Sequence, residues 1–139
     1  MTVGKKNNLL PSCYKNLAKL ASEVKENAYS PYSKYKVGAA LLTKDGRTFI
    51  GCNVENAAYG DTICAERSAI CNAVANGCAP GDFEAIAIAS SGKDFSPCGS
   101  CRQVMQEFGK DIIVIFEFNG QIKTMPLSEL LPLGFPKNV

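Results

Sequence analysis

Apolar residues recur at Leu10, Cys13, Leu17, Leu20, Ala21 and Val24, with lysines and glutamates between them. That spacing predicts an amphipathic helix of about four turns. It stops before "YSPYS", because Pro31 disfavours helix for Ser30. The period then changes. "KVGAALLTKDGRTFIGCNV" holds two apolar runs on either side of Asp45-Gly46, a strong hairpin signal, and predicts strands at roughly 37–43 and 47–53. "NAAYGDT" reads as a loop. In "ICAERSAICNAVANG", Ala65, Ala69 and Ala73 share helical spacing with Ile70 and Val74, and Gly77 is a stop signal. So many small residues imply a helix lying close against something flat, such as a sheet. "FEAIAIAS" is apolar nearly throughout, the pattern of a central strand covered on both faces. "PCGSCRQVMQEFG" opens on proline, ends on glycine and carries Val104, Met105 and Phe108 on one stripe, which predicts a third helix. "DIIVIFEF" is a further strand. Asn119-Gly120 turns it into "QIKTM", and a short helical turn at "LSELL" follows. The order helix, hairpin, helix, strand, helix, hairpin predicts an α/β fold. It is a three-layer α/β/α sandwich, with helices on both faces of a mixed five-stranded sheet.

Length and composition narrow the function. At 139 residues, with no repeat, low-complexity tract or linker, residues 1–139 read as a single domain with a core of its own. Fifteen basic against thirteen acidic residues leave a net charge of +2, too weak and too scattered for a nucleic-acid footprint. The longest basic cluster, Lys5-Lys6, reads as solvated. No apolar run reaches a membrane span, and "MTVGKKNNLLPSCYKN" has no long apolar segment of the secretory kind. A cytoplasmic protein with reduced thiols is therefore expected. Seven cysteines, an odd number, exclude complete internal pairing. The chain has no histidine. Cys-His pairs, Ser-His-Asp triads and histidine-held zinc are thereby excluded, and chemistry falls to cysteine, carboxylates, lysine, tyrosine or backbone.

Two predicted helices begin alike, one at Cys64-Ala65-Glu66 and the other at Cys98-Gly99-Ser100-Cys101. If they lie side by side, three cysteines converge where helix dipoles and unpaired N–H groups favour thiolate. Three thiolates suit zinc, and a vacant fourth position is the mark of a catalytic zinc site. Glu66 is placed to carry protons; in isolation it is simply an acid in a helix's first turn. Zinc with three thiolates carries a net negative charge, so Arg67 is expected to support the sulfurs by hydrogen bonding. The Cys98–Cys101 spacing alone equally serves a redox pair. A closed structural zinc site is the other alternative, with Cys71 as the fourth ligand to consider, although it lies roughly 10 Å along the helix from Cys64. Cys13, Cys52, Cys71 and Cys78 fall in apolar or helical settings, and most of them are expected to be buried small hydrophobes.

The joint pattern "CAE … PCxxC" is the signature of the zinc deaminases. With "AYSPYSKYKVGAALL", "GCNVENAAYGDTICAER" and "SPCGSCRQV", the chain resembles the small homotetrameric cytidine deaminases over nearly its full length. The resemblance implies hydrolysis of cytidine and deoxycytidine to uridine and deoxyuridine with release of ammonia, a step of pyrimidine salvage. It implies one zinc ion per chain on Cys64, Cys98 and Cys101, with Glu66 as the proton shuttle. Backbone at Ala65, Ser96 and Cys98 would hold the base. Asn53 and Glu55 match the family's sugar-binding pair, and alternating positions at a strand end point the same way. Tyr35 stands where the family usually has phenylalanine against the base. Tyr59 and Phe135 match positions that reach a neighbouring subunit's site, which would be complete only in the tetramer. A deaminase of another amine, such as blasticidin S, shares the zinc motif; "NVENAAYG" favours a nucleoside.

Overall fold

The computed structural model describes residues 10–136; Lys5-Lys6 lies outside them. The first helix, α1 (Ser12–Val24), continues into a 3₁₀ turn and leads to the hairpin β1 (Val37–Thr43) and β2 (Thr48–Cys52). Then come α2 (Ala65–Ala75), β3 (Phe83–Ser90), α3 (Gly99–Phe108), β4 (Ile113–Phe118), β5 (Gln121–Pro126) and the short α4 (Leu127–Leu130). The sheet order is β2-β1-β3-β4-β5. Only β3 and β4 run parallel; the other neighbours are antiparallel, so the sheet is mixed as expected.

Side-chain alternation explains the layers. Across β1 and β3, Ala39 pairs with Ile88 and Leu41 with Ile86, while Ala40 pairs with Ala87 and Leu42 with Ala85. The period of two sends these sets to opposite faces. Ala40, Leu42, Ala85 and Ala87 pack with Leu17 and Ala21 of α1. Ala39, Leu41, Ile86 and Ile88 pack with Ala65, Ala69, Cys101 and Met105 of α2 and α3. Every residue of β1 is buried, which is why its sequence reads as an unbroken apolar run. Between β4 and β5, Asn119 and Gly120 both take positive φ, the tight two-residue turn that Asn-Gly favours.

Two expectations about burial do not hold. Among the four cysteines outside the motif, only Cys78 is buried; Cys52 is half-buried, and Cys13 and Cys71 are exposed. Cys71 lies about 100° round the helix from Ile70, off the face that carries Ala69 and Ala73. Cys13 sits in the first turn of α1, ahead of Leu17, the first buried residue of that helix. Val74, expected on the buried stripe, is 45% exposed, because the smaller Ala69 and Ala73 carry the contact with the sheet.

The closeness of α2 to the sheet depends on Gly51 in β2. A Cβ there would overlap the Ala69 N–H nitrogen and come within 2.8 Å of the Ala65 carbonyl oxygen. Both are backbone atoms, so the helix itself would have to move. Gly51→Ala is expected to lower stability by about 1–3 kcal/mol, as overpacking does. Urea unfolding checks this; an unchanged midpoint would contradict the packing described.

Candidate active site

The loop leaving the carboxyl end of β3 delivers the N-terminus of α3, and the loop after β2 delivers that of α2. Cys64 is the N-cap of α2 and Cys98 the N-cap of α3. Cys101 lies in the first turn of α3 and is 0% exposed. The Cys98 Sγ accepts the Cys101 N–H at 3.4 Å, capping α3 with a sulfur. The helices pack together, and the three sulfurs lie within 4.8 Å of one another. The fourth candidate, Cys71, is not in this group.

The donor set fits zinc. With protons in place of a metal, three thiols are crowded together. A hydrogen bond from Cys101, helped by Arg67, draws Cys64 down to about 6 despite its burial. The same contact, followed by burial, pushes Cys101 far up. The crowding favours thiolate at Cys64 at the expense of Cys101, and a dication would relieve that conflict by stabilising all three. Arg67 supports the fit. Burial opposes its charge, but Cys101, Cys64 and Cys98 outweigh burial and keep the guanidinium protonated. Its Nη2 donates to Ser100 Oγ, which ties α2 to α3. Its Nε is buried with no hydrogen-bond partner, as suits a cation turned towards sulfur.

Beside the sulfurs is a cavity of about 170 Å³. Glu66, 2% exposed, reaches it from the first turn of α2. Burial, then the Cys64 charge, raises its carboxyl to about 7, while its own N–H and the Cys101 thiol pull the other way. A carboxyl poised near neutrality can both take and give a proton. Val37 and Phe95 supply apolar walls, and Asn53, Thr62 and Ser96 supply polar edges. Ala65, at the start of α2, also borders this space.

The remaining expected site residues are spread more widely. Asn53 lines the cavity, yet its amide is already engaged: Oδ1 accepts from Val37 N–H and Nδ2 donates to the Tyr35 carbonyl, each at 2.9 Å. Glu55 borders a second groove of about 280 Å³ with Tyr32, Ser33 and Tyr59. Thr62 borders both spaces, so they meet there. The Ser33 hydroxyl and the Ser33 and Tyr32 N–H groups hold the Glu55 carboxyl below the usual carboxylate range. Tyr35 packs against the core, and its hydroxyl donates to Ser90 Oγ at 3.0 Å; it does not border the cavity. Tyr59 is 76% exposed with its ring against Tyr32, and Phe135 is 78% exposed.

One contributor escaped the sequence. Arg102 donates from Nε to the Pro97 carbonyl at 2.7 Å, from Nη1 to the Leu130 carbonyl at 2.6 Å and from Nη2 to Ser96 Oγ at 3.2 Å. It fixes Ser96, which lines the cavity, together with the neighbouring Pro97 carbonyl. Its position directly after Cys101 was the only hint available.

Comparison with known proteins agrees with this geometry. The family model of the cytidine and deoxycytidylate deaminase zinc-binding region matches residues 11–117. A cytidine deaminase of Sporosarcina psychrophila is 44% identical over 120 residues, covering 84% of this chain and 87% of that protein. One from Halalkalibacterium halodurans is 45% identical over 122 residues, covering 86% and 91%. The crystal structure of cytidine deaminase from Burkholderia pseudomallei matches with a TM-score of 0.83 at 46% identity, over 88% of this chain and 98% of that one.

Proposed function

Because this chain belongs to the family of zinc-binding cytidine and deoxycytidylate deaminases, we propose that it hydrolyses cytidine and deoxycytidine to uridine and deoxyuridine with release of ammonia. The observation that carries this reading is the meeting of three sulfurs and one buried carboxyl at a cavity between two helix tips.

Cys64, Cys98 and Cys101 would hold one zinc ion. Bound there, zinc supplies Lewis acidity that lowers the pKa of water from about 15.7 towards 7. Glu66 accepts a proton from the attacking water and gives it to N3 of the pyrimidine. Glu66 then takes the second proton of that water, from the hydroxyl now on C4, and delivers it to the departing amine as the C4–N4 bond breaks. N3 keeps the first, so water and cytidine balance against uridine and ammonia. Arg67 draws charge from the sulfurs. Backbone groups at Ala65, Ser96 and Cys98 stand at fixed positions around the base, which suits preorganised polar contacts. Asn53 acts chiefly through the strand start that it ties down, and Glu55 offers the sugar a carboxylate that stays ionised. Tyr35, which stands outside the cavity, takes part through its carbonyl, which holds the Asn53 amide in place.

The chain assembles as a homotetramer in which Tyr59 and Phe135 reach a neighbouring subunit's site. Both rings are exposed, Tyr59 by 76% and Phe135 by 78%, as a role in a neighbouring subunit requires. A cytoplasmic location agrees with seven free cysteines. No helix among the described residues is long and apolar enough to cross a membrane.

The test is ammonia release from cytidine, deoxycytidine, cytosine and blasticidin S by zinc-loaded protein, with its mass in solution measured alongside. We expect turnover of the two nucleosides by a four-chain species, and little from the other two compounds. Turnover of blasticidin S alone, or full activity in a single chain, would overturn the assignment of substrate or of assembly respectively.

A further inference from the structure

After α4 the chain carries two large apolar residues in solvent: Leu133 is 103% exposed and Phe135 78%. Burial of these side chains within the chain does little to offset the conformational entropy lost on fixing this segment. Its backbone is nevertheless held firmly to α3. The Phe135 N–H donates to Gln103 Oε1 at 3.1 Å, and the Phe135 carbonyl accepts from Gln103 Nε2 at 3.1 Å and from Gln106 Nε2 at 2.7 Å. All three bonds are made to backbone, so they fix where residue 135 sits and leave its ring free. A glutamine amide both donates and accepts, so Gln103 alone can pair both groups of one residue as a strand neighbour does. Gln103 and Gln106 share one face of α3.

The approach to this clamp is specialised as well. A Cβ at Gly134 would overlap Gln106 Oε1 and Leu131. Leu133 takes φ 57°, a left-handed conformation that a leucine seldom adopts, with its side chain in the open. Arg102, on the same helix, holds the root of the arm through the Leu130 carbonyl. The bend, the glycine and the two amides all serve the placement of residue 135, and none of them buries its ring.

We propose that Gln103 and Gln106 are positioning residues that hold the Phe135 backbone so that its ring projects into the substrate site of a second copy of this chain. The proposal rests on the reading above that Phe135 serves a neighbouring subunit. The experiment compares Phe135→Ala, the pair Gln103→Ala with Gln106→Ala, and all three together, in the assembled, zinc-loaded enzyme. Phe135→Ala is expected to raise KM for cytidine roughly tenfold, as loss of an aromatic anchor does, with kcat within about twofold. The glutamine pair is expected to raise KM roughly three- to tenfold. The triple variant is expected to match Phe135→Ala, because residues acting through one another are not additive. Gln103→Glu keeps an acceptor for the Phe135 N–H but turns the donor facing the Phe135 carbonyl into a carboxylate oxygen, and is expected to raise KM part of the way towards that of the pair. Metal content and mass report on folding in each case. If Phe135→Ala raises KM while the glutamine pair does not, or if the two effects multiply in the triple variant, the clamp is refuted and the role of Phe135 stands. If Phe135→Ala leaves KM unchanged, the neighbouring-site reading fails and the proposal fails with it.

Discussion

Glu66→Ala is expected to lower kcat for cytidine roughly 100- to 10,000-fold, the range general acid–base catalysis supplies, while zinc content stays at that of the unaltered protein. The side chain is 2% exposed, and its carboxyl is raised to about 7, chiefly by burial. Keeping a carboxyl out of water opposes folding unless the group is paired. Its removal should therefore leave thermal stability level or slightly higher. This separates a working group from a structural one: a carboxylate retained for the fold would lower the melting temperature when lost. Glu66→Gln makes the sharper comparison, because it keeps the shape and hydrogen-bonding capacity but cannot carry a proton. Both variants should bind cytidine and turn it over poorly. Ordinary turnover by Glu66→Gln would remove the shuttle from the mechanism.

Cys101→Ala should have an effect of similar size by a different route. Cys101 is wholly buried between the two helix tips, and its sulfur is in contact with those of both Cys64 and Cys98. Two sulfurs cannot hold zinc as three can. Metal content per chain should fall close to zero on dialysis, and turnover with it. A ligand present at 100 times its Kd stabilises the folded state by about 2.7 kcal/mol. Unaltered protein should therefore melt several degrees lower after chelation, and Cys101→Ala should show no such difference. Cys13→Ala and Cys71→Ala, at exposed positions outside the cluster, should keep metal and activity. A disulfide between Cys98 and Cys101 that cycles during turnover, or metal retained by Cys101→Ala, would contradict this account.

Much of the fold was legible because burial here follows simple periods. β1 and β3 are covered on both faces, so they appear as unbroken apolar runs, and the alanines of α2 announced a close approach to a flat surface. The meeting of the three cysteines was legible for a related reason: each lies at or next to a helix start, and both helices rise from the same side of the sheet. Other features left no such trace. The exposure of Cys71 and Val74 depends on the rotation of α2 about its axis, which a stripe of small residues defines only loosely. Asn53 is expected from the family resemblance to serve the sugar, but its amide is tied to the Val37 N–H and the Tyr35 carbonyl. Arg102 was invisible because two of its partners are the carbonyls of Pro97 and Leu130; any residue could supply those oxygens. Backbone partners carry no residue code, so positioning roles of this kind emerge only from coordinates.

X-ray absorption at the zinc edge of the loaded, substrate-free protein tests the central claim most directly. The account predicts one zinc per chain, with three sulfur neighbours and one oxygen or nitrogen. Four sulfurs, or fewer than three, would contradict it.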